Sequence, residues 1–109
     1  MNDNNIFYIR SGATLPIIRA TVVDNNNNTI DLSGASSVLF TMYNNDGKKI
    51  DDSDGSMDDA INGKITYKMS TDDTDTVGAY NAYLKITISN GDILYAPAIH
   101  TFDVEIVRS

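Results

Sequence analysis

From Ala79 to Ser89 the chain alternates apolar and polar side chains without a break. Tyr80, Ala82, Leu84, Ile86 and Ile88 fall on one parity, and Asn81, Tyr83, Lys85 and Thr87 on the other. A period of two belongs to a β-strand, whose successive side chains point to opposite faces, and it does not fit the 3.6-residue turn of a helix. The pattern recurs along the chain. Lys64 to Met69 sets Ile65, Tyr67 and Met69 against Lys64, Thr66 and Lys68. Leu15 to Val23 offers Ile18, Ala20 and Val22 as an inward set, and Phe102, Val104 and Ile106 form the inner face of a last strand. Ser37 to Tyr43 carries bulk on both parities, Val38, Phe40 and Met42 on one and Leu39, Thr41 and Tyr43 on the other. It is therefore expected to be central and covered on both sides. Ile6 to Ile9 and Ile93 to Ala96 complete the set, and no run has the helical period.

The segments between these runs are turn chemistry. Asp24 to Asn28 is a turn-prone run, and Ile30 to Ala35 reads as a loop crossing one end of the domain. Asn44, Asn45, Asp46 and Gly47 predict a tight hairpin whose return starts at Lys48 to Ile50. Asp51 to Asp59 is read as a loop on composition. Asn62-Gly63 and Asn90-Gly91 are further tight turns, and Pro97 ends the strand before it because it has no N–H for a ladder. About seven or eight short strands, with turns every ~8 to 12 residues, describe an all-β two-sheet sandwich or a small barrel. Gly78-Ala79-Tyr80, at the head of the longest strand after a polar corner, favours the sandwich. It resembles the tyrosine corner of immunoglobulin-like domains, in which the Tyr hydroxyl bonds back to the corner's backbone. Gly78 and Tyr80 are accordingly the expected structural corner, the alternative being that Tyr80 is one more inward aromatic. Ala82 stands where antibody domains carry their second cysteine, so the expected architecture is an immunoglobulin-like antiparallel sandwich without a disulfide.

A length of 109 residues suits one such domain, expected over residues 6–109, with Met1–Asn5 as a flexible polar arm. There is no cysteine, which removes thiolate zinc sites and thiol nucleophiles. The net charge of −7 argues against nucleic acid, whose binders place Lys and Arg on phosphates. Nearly all the acidity is Asp, with Glu105 the only glutamate, and Asp favours turns. No stretch reaches the ~18 apolar residues of a membrane span, and the polar, acidic start lacks the basic and then apolar pattern of a signal peptide.

Few residues carry reactive chemistry. Asp51, Asp52, Asp54, Asp58 and Asp59 surround Gly55, and Asp52 and Asp54 are the candidate cation ligands. The spacing fails the EF-hand pattern: with Gly55 as the loop glycine, the first and last ligand positions fall on Ile50 and Ile61. A solvated acidic loop with no metal and no cofactor is the expectation. Asp72, Asp73 and Asp75 read as corner chemistry. The single histidine, His100, adjoins Thr101, yet no nucleophile-elbow or oxyanion-hole pattern surrounds it. The aspartates sit in turn clusters, the reverse of the desolvated setting a general acid needs. No enzyme activity is expected. The outward aromatics Tyr43, Tyr83 and Tyr95 are candidate partner contacts, or a sugar-stacking platform if they share a face.

Ordered along the chain, these elements form a longer pattern. Asp31-Leu32-Ser33-Gly34-Ala35 leads into Val38, Phe40 and Met42; Gly47 follows, then Gly63-Lys64-Ile65-Thr66-Tyr67. Asp73-Thr74 precedes Gly78 and Tyr80, Gly91-Asp92 makes the next turn, and Pro97 precedes the last strand. From about Leu15 onward the chain resembles a phage domain family typified by the N-terminal domain of the baseplate upper protein of lactococcal phages. Met69 stands where that family often has a large aromatic, commonly Trp. The resemblance implies an immunoglobulin-like sandwich that docks onto other virion proteins and has no catalytic residues to carry over. The expected role is a virion structural or adaptor protein of the tail, baseplate, neck or capsid surface, in multiple symmetry-related copies, made in the host bacterial cytoplasm. The alternative is a carbohydrate-binding module for attachment to the host surface.

Overall fold

The computed structural model describes residues 6–97 and 101–109; the arm Met1–Asn5 and His100 lie outside the described residues. Among the described residues nine strands run in order: β1 (Ile6–Arg10), β2 (Ile18–Thr21), β3 (Ala35–Asn44), β4 (Gly47–Asp54), β5 (Ser56–Asp59), β6 (Lys64–Tyr67), β7 (Gly78–Ile88), β8 (Ile93–Ala96) and β9 (Phe102–Val107). One 3-10 turn, Ala60–Asn62, joins β5 to β6, and Gly63 closes it at φ 71°. The strands form two sheets packed as a sandwich. The larger runs β1-β9-β7-β3-β4 with β8 also on β7, and the smaller runs β2-β6-β5.

The eleven-residue β7 organises the larger sheet. One of its edges pairs along the length of β3; the other is shared, with Gly78 to Ala82 against β9 and Leu84 to Thr87 against β8. Pro97 lies where β8 leaves β7, as its missing donor requires. The two terminal strands pair in parallel, Ile6 with Asp103 through Arg10 with Val107.

The alternation read from the sequence places the core. Val38, Phe40 and Met42 from β3, Tyr80, Ala82, Leu84 and Ile86 from β7, and Val104 and Ile106 from β9 are buried against Ile18, Val22, Ile65, Tyr67 and Met69. Phe40 of one layer stacks on Tyr67 of the other, with centroids 4.3 Å apart and planes 14° from parallel. Such a contact adds specificity to the burial itself. Leu32, from the loop crossing one end, is also fully buried.

Asp51 to Asp59, expected as a loop, is instead strand. β4 and β5 form one extended segment that leaves the larger sheet and enters the smaller at Gly55. Composition misled because the local Asp preference for turns is outweighed by ladder bonds on two sheets. Two residues shape the crossing. Asp52 takes φ 52° in a bulge opposite β3, and Gly55 brings three backbones together. Its N–H donates to the Val38 carbonyl at 2.8 Å, and a Cβ there would lie 2.9 Å from the Thr66 carbonyl oxygen. Leu15 to Val23 is shorter than expected. Ile18–Thr21 pairs with β6, the Val22 N–H donates to the Gly63 carbonyl, and Val23 bridges to Thr29.

Candidate functional site

Tyr43, Tyr83 and Tyr95 come together on the outer face of the larger sheet. Tyr83 lies opposite Thr41 while Tyr43 lies opposite Asn81, and Tyr95 lies opposite Lys85, so the three rings occupy a diagonal across β3, β7 and β8. Ring centroids are 6.4 Å apart for Tyr43 and Tyr83 and 5.8 Å for Tyr83 and Tyr95, with planes at 64° and 71°. Edge-to-face rings brace one another, as cross-strand neighbours do. They do not offer a row of parallel faces. Tyr43 and Tyr83 are half-buried and Tyr95 is 47% exposed, so Tyr95 is the accessible end of the row.

Beside the tyrosines, Thr41 has no exposed surface; its hydroxyl donates to Asp52 Oδ1 at 3.3 Å and accepts the Asp52 N–H at 3.2 Å. The Asp52 carboxylate therefore serves the bulge. Asp54 is exposed at the end of β4, opposite Leu39. Among the described residues, no group of three or more acidic or histidine side chains converges as a metal site would require. Lys48, opposite Tyr43, hydrogen-bonds Asp51 at 3.3 Å, which raises its pKa, with a smaller contribution from the Tyr83 phenol.

The polar corner is a set of ties. The Tyr80 hydroxyl donates to the Thr76 carbonyl at 2.9 Å, and burial raises its pKa. Gly78 lies against that ring, and a Cβ there would meet it at an ordinary contact distance of 3.6 Å. The Tyr67 hydroxyl donates to Asp73 at 2.9 Å and, its one proton so committed, accepts from Ser53 at 3.0 Å. Burial, with the negative charge of Asp73, pushes the phenol up to about 12. Asp73 also accepts the Ser70 N–H, Asp75 pairs with Lys49, and the buried Thr74 hydroxyl donates to the Ala13 carbonyl at 2.9 Å. Asp72 is exposed.

A second surface was not expected from the sequence. On one flank of the sandwich the β4–β5 segment belongs to both sheets. On another, β1, β8 and β9 of the larger sheet face β2 of the smaller across a groove of about 780 Å³. Ile6, Phe7, Ile18, Val22, Ala96 and Phe102 supply its apolar lining, Arg19 and Asp24 add charge, and Tyr95 joins it to the aromatic row. β2 pairs only with β6 among the described residues. The Val22 N–H points to Gly63, so antiparallel alternation turns the main-chain groups of Arg19 and Thr21 away from β6, toward the free edge. Periodicity names the faces of strands but not which strands end a sheet, so only the topology reveals this groove.

The model of the BppU N-terminal domain family matches residues 3–109. Ten chains of solved structures match, among them the N-terminal domain of phage TP901-1 ORF48, 22% identical, covering 99% of this chain and 91% of that one, with a TM-score of 0.69. That likeness is one of fold. No curated protein matches the chain significantly. With the family's pattern spanning nearly all of its length, the chain belongs to the BppU N-terminal domain family, a phage baseplate structural domain.

Proposed function

We propose that this chain is a non-catalytic structural or adaptor module of a phage particle, one sandwich domain over residues 6–109 held by contacts with other virion chains. Tail, baseplate, neck and capsid surface are the possible stations, and family membership favours the baseplate. The observation that carries the docking mode is the groove, an apolar lining bordered by the free edge of β2. An apolar surface next to unpaired main-chain groups suits a protein partner that brings both side chains and an extended backbone. Repetition around a symmetric particle makes a modest interface sufficient, because each contact raises the effective concentration of the next. The charge of −7 disfavours nucleic acid, and among the described residues no helix is long and apolar enough to cross a membrane. The particle is the expected location, after synthesis in the host bacterial cytoplasm.

Carbohydrate binding is the second reading, favoured by three tyrosines on one face. Their edge-to-face braces and the half-burial of Tyr43 and Tyr83 count against it, since stacking on sugars needs open ring faces. Thr21→Pro separates the two readings. It removes an edge donor facing away from β6, so folding is spared while incorporation into particles falls. Mass spectrometry of purified virions reads the result. Absence of the wild-type chain while other structural proteins are present would refute the docking reading. Saturable micromolar binding to a defined glycan, lost in Tyr95→Ala, would put the carbohydrate module first.

A further inference from the structure

We infer that the domain is built to bear tension along the chain, with β1 and β9 acting as a shear clamp. The inference goes beyond the docking reading and does not depend on it. Its basis is the direction of the terminal strands. β1 and β9 are neighbours and parallel, in unbroken register from Ile6↔Asp103 to Arg10↔Val107. A pull on the chain before Ile6 acts backward along β1. A pull on the chain after Val107 acts forward along β9. The two forces are opposed, collinear with the strands and applied at opposite ends of one ladder, so its hydrogen bonds are loaded together rather than in turn.

The surroundings of this ladder fit the role. β9 is an interior strand, flanked by β1 on one edge and by Gly78 to Ala82 of β7 on the other. Val104 and Ile106 have no exposed surface, and Ile9 is 2% exposed, so sliding β1 past β9 pulls apolar side chains out of the core as well as breaking bonds. Two contacts extend the ladder past the strand ends. The Ser11 N–H donates to the Val107 carbonyl at 2.7 Å, and the Arg10 guanidinium donates to the Arg108 carbonyl at 3.1 Å. Strands β2 to β8 lie off the line of force. The sandwich core is shielded until the clamp gives way.

The same protein contains a contrasting geometry. Ala35 at the start of β3 lies opposite Ile88 at the end of β7, in an antiparallel pair. Handles at Gly34 and Asn90, both exposed, peel that pair from one end, one bond at a time. Gly34→Cys is tolerable there, because a Cβ meets only Ser89 Oγ at 3.5 Å. The test is single-molecule unfolding at one loading rate, with handles at residues 1 and 109 or at 34 and 90. Forced unfolding reports the unfolding barrier along the pulled direction. The expected result is a rupture force several-fold higher for the terminal handles. Val107→Pro sharpens the comparison: its carbonyl accepts from Ser11, so its N–H also faces β1, and proline deletes it from the clamp. The variant is expected to lower the terminal rupture force and leave the 34–90 force unchanged. Equal forces in the two geometries, or an equal loss in both from Val107→Pro, would overturn the clamp.

Discussion

Replacing Gly55 by alanine tests how the sandwich is closed. An ideal Cβ at this position lies 2.9 Å from the Thr66 carbonyl oxygen and 3.1 Å from Val38 Cγ1. Neither neighbour yields easily. The oxygen is backbone of β6, held by pairing with both β2 and β5, and Val38 is a stiff β-branched side chain only 5% exposed. Forcing a methyl into such a site costs about 1 to 3 kcal/mol. Removing a glycine from the unfolded chain offsets about 0.4 to 1 kcal/mol of that. The net expectation is a loss of about 1 to 2 kcal/mol, or a melting midpoint lower by roughly 5 to 15 °C for a domain this size. Gly34→Ala is the control, because its Cβ meets only Ser89 Oγ at an ordinary 3.5 Å. It should leave stability unchanged or raise it by a few tenths of a kcal/mol. Urea titrations of both variants, read by intrinsic tyrosine fluorescence and circular dichroism, give the comparison. A Gly55→Ala midpoint equal to wild type would mean that the two sheets do not approach each other at this residue as described.

Tyr80→Phe should cost about 1 to 2 kcal/mol in urea, since it leaves the Thr76 carbonyl without its 2.9 Å donor, while Tyr83→Phe should be nearly silent. Stability should fall as pH rises from about 10 toward 12. Tyr67 holds its proton more tightly folded than unfolded, so its contribution is complete below the unfolded value of 10.0 and lost as the pH passes through about 12. Tyr67→Phe should flatten that alkaline limb, and an unchanged limb in the variant would assign the loss elsewhere. Millimolar Ca²⁺ should leave the melting temperature within about a degree, because binding to the folded state would raise it by mass action. A concentration-dependent rise abolished by replacing Asp52 and Asp54 with Asn would overturn that reading.

Where alternation is strict, side-chain direction follows from the sequence. Ile65, Tyr67, Tyr80, Leu84, Ile86, Val104 and Ile106 are buried as their parity requires, because a one-residue slip would expose every one of them. The Asp51 to Asp59 segment defeated the same logic. Its polar residues face solvent on a crossing strand, and the bonds that hold it straight come from Val38 and Thr66, remote in sequence. The tyrosine diagonal is only half written in the sequence. Outward direction followed from parity, but the 5.8 and 6.4 Å spacings depend on register between three strands. Parity places Tyr67 in the core, yet its hydroxyl's partners, Ser53 and Asp73, come from segments whose proximity only the packed sheets create. The groove left no trace in composition, since Ile6, Ile18 and Phe102 look like any other core residues until the edge strands are known.

The segment that changes sheets at Gly55 makes the two flanks mechanically unequal. Along it, one covalent backbone is stitched to β3 on one side of the glycine and to β6 on the other, so the layers cannot separate there without tearing both ladders. It acts like the spine of a book, whose covers are free to part only along the opposite margin. Thermal opening of the layers should then be a hinged motion, with amide exchange slower beside Gly55 than along the free edge of β2, while β1 keeps the protection of its ladder with β9. A molecule that wedges itself between those covers would be working against the softest direction of the fold, and the firmness of its seat would be set by the stiffness of a strand on the far side.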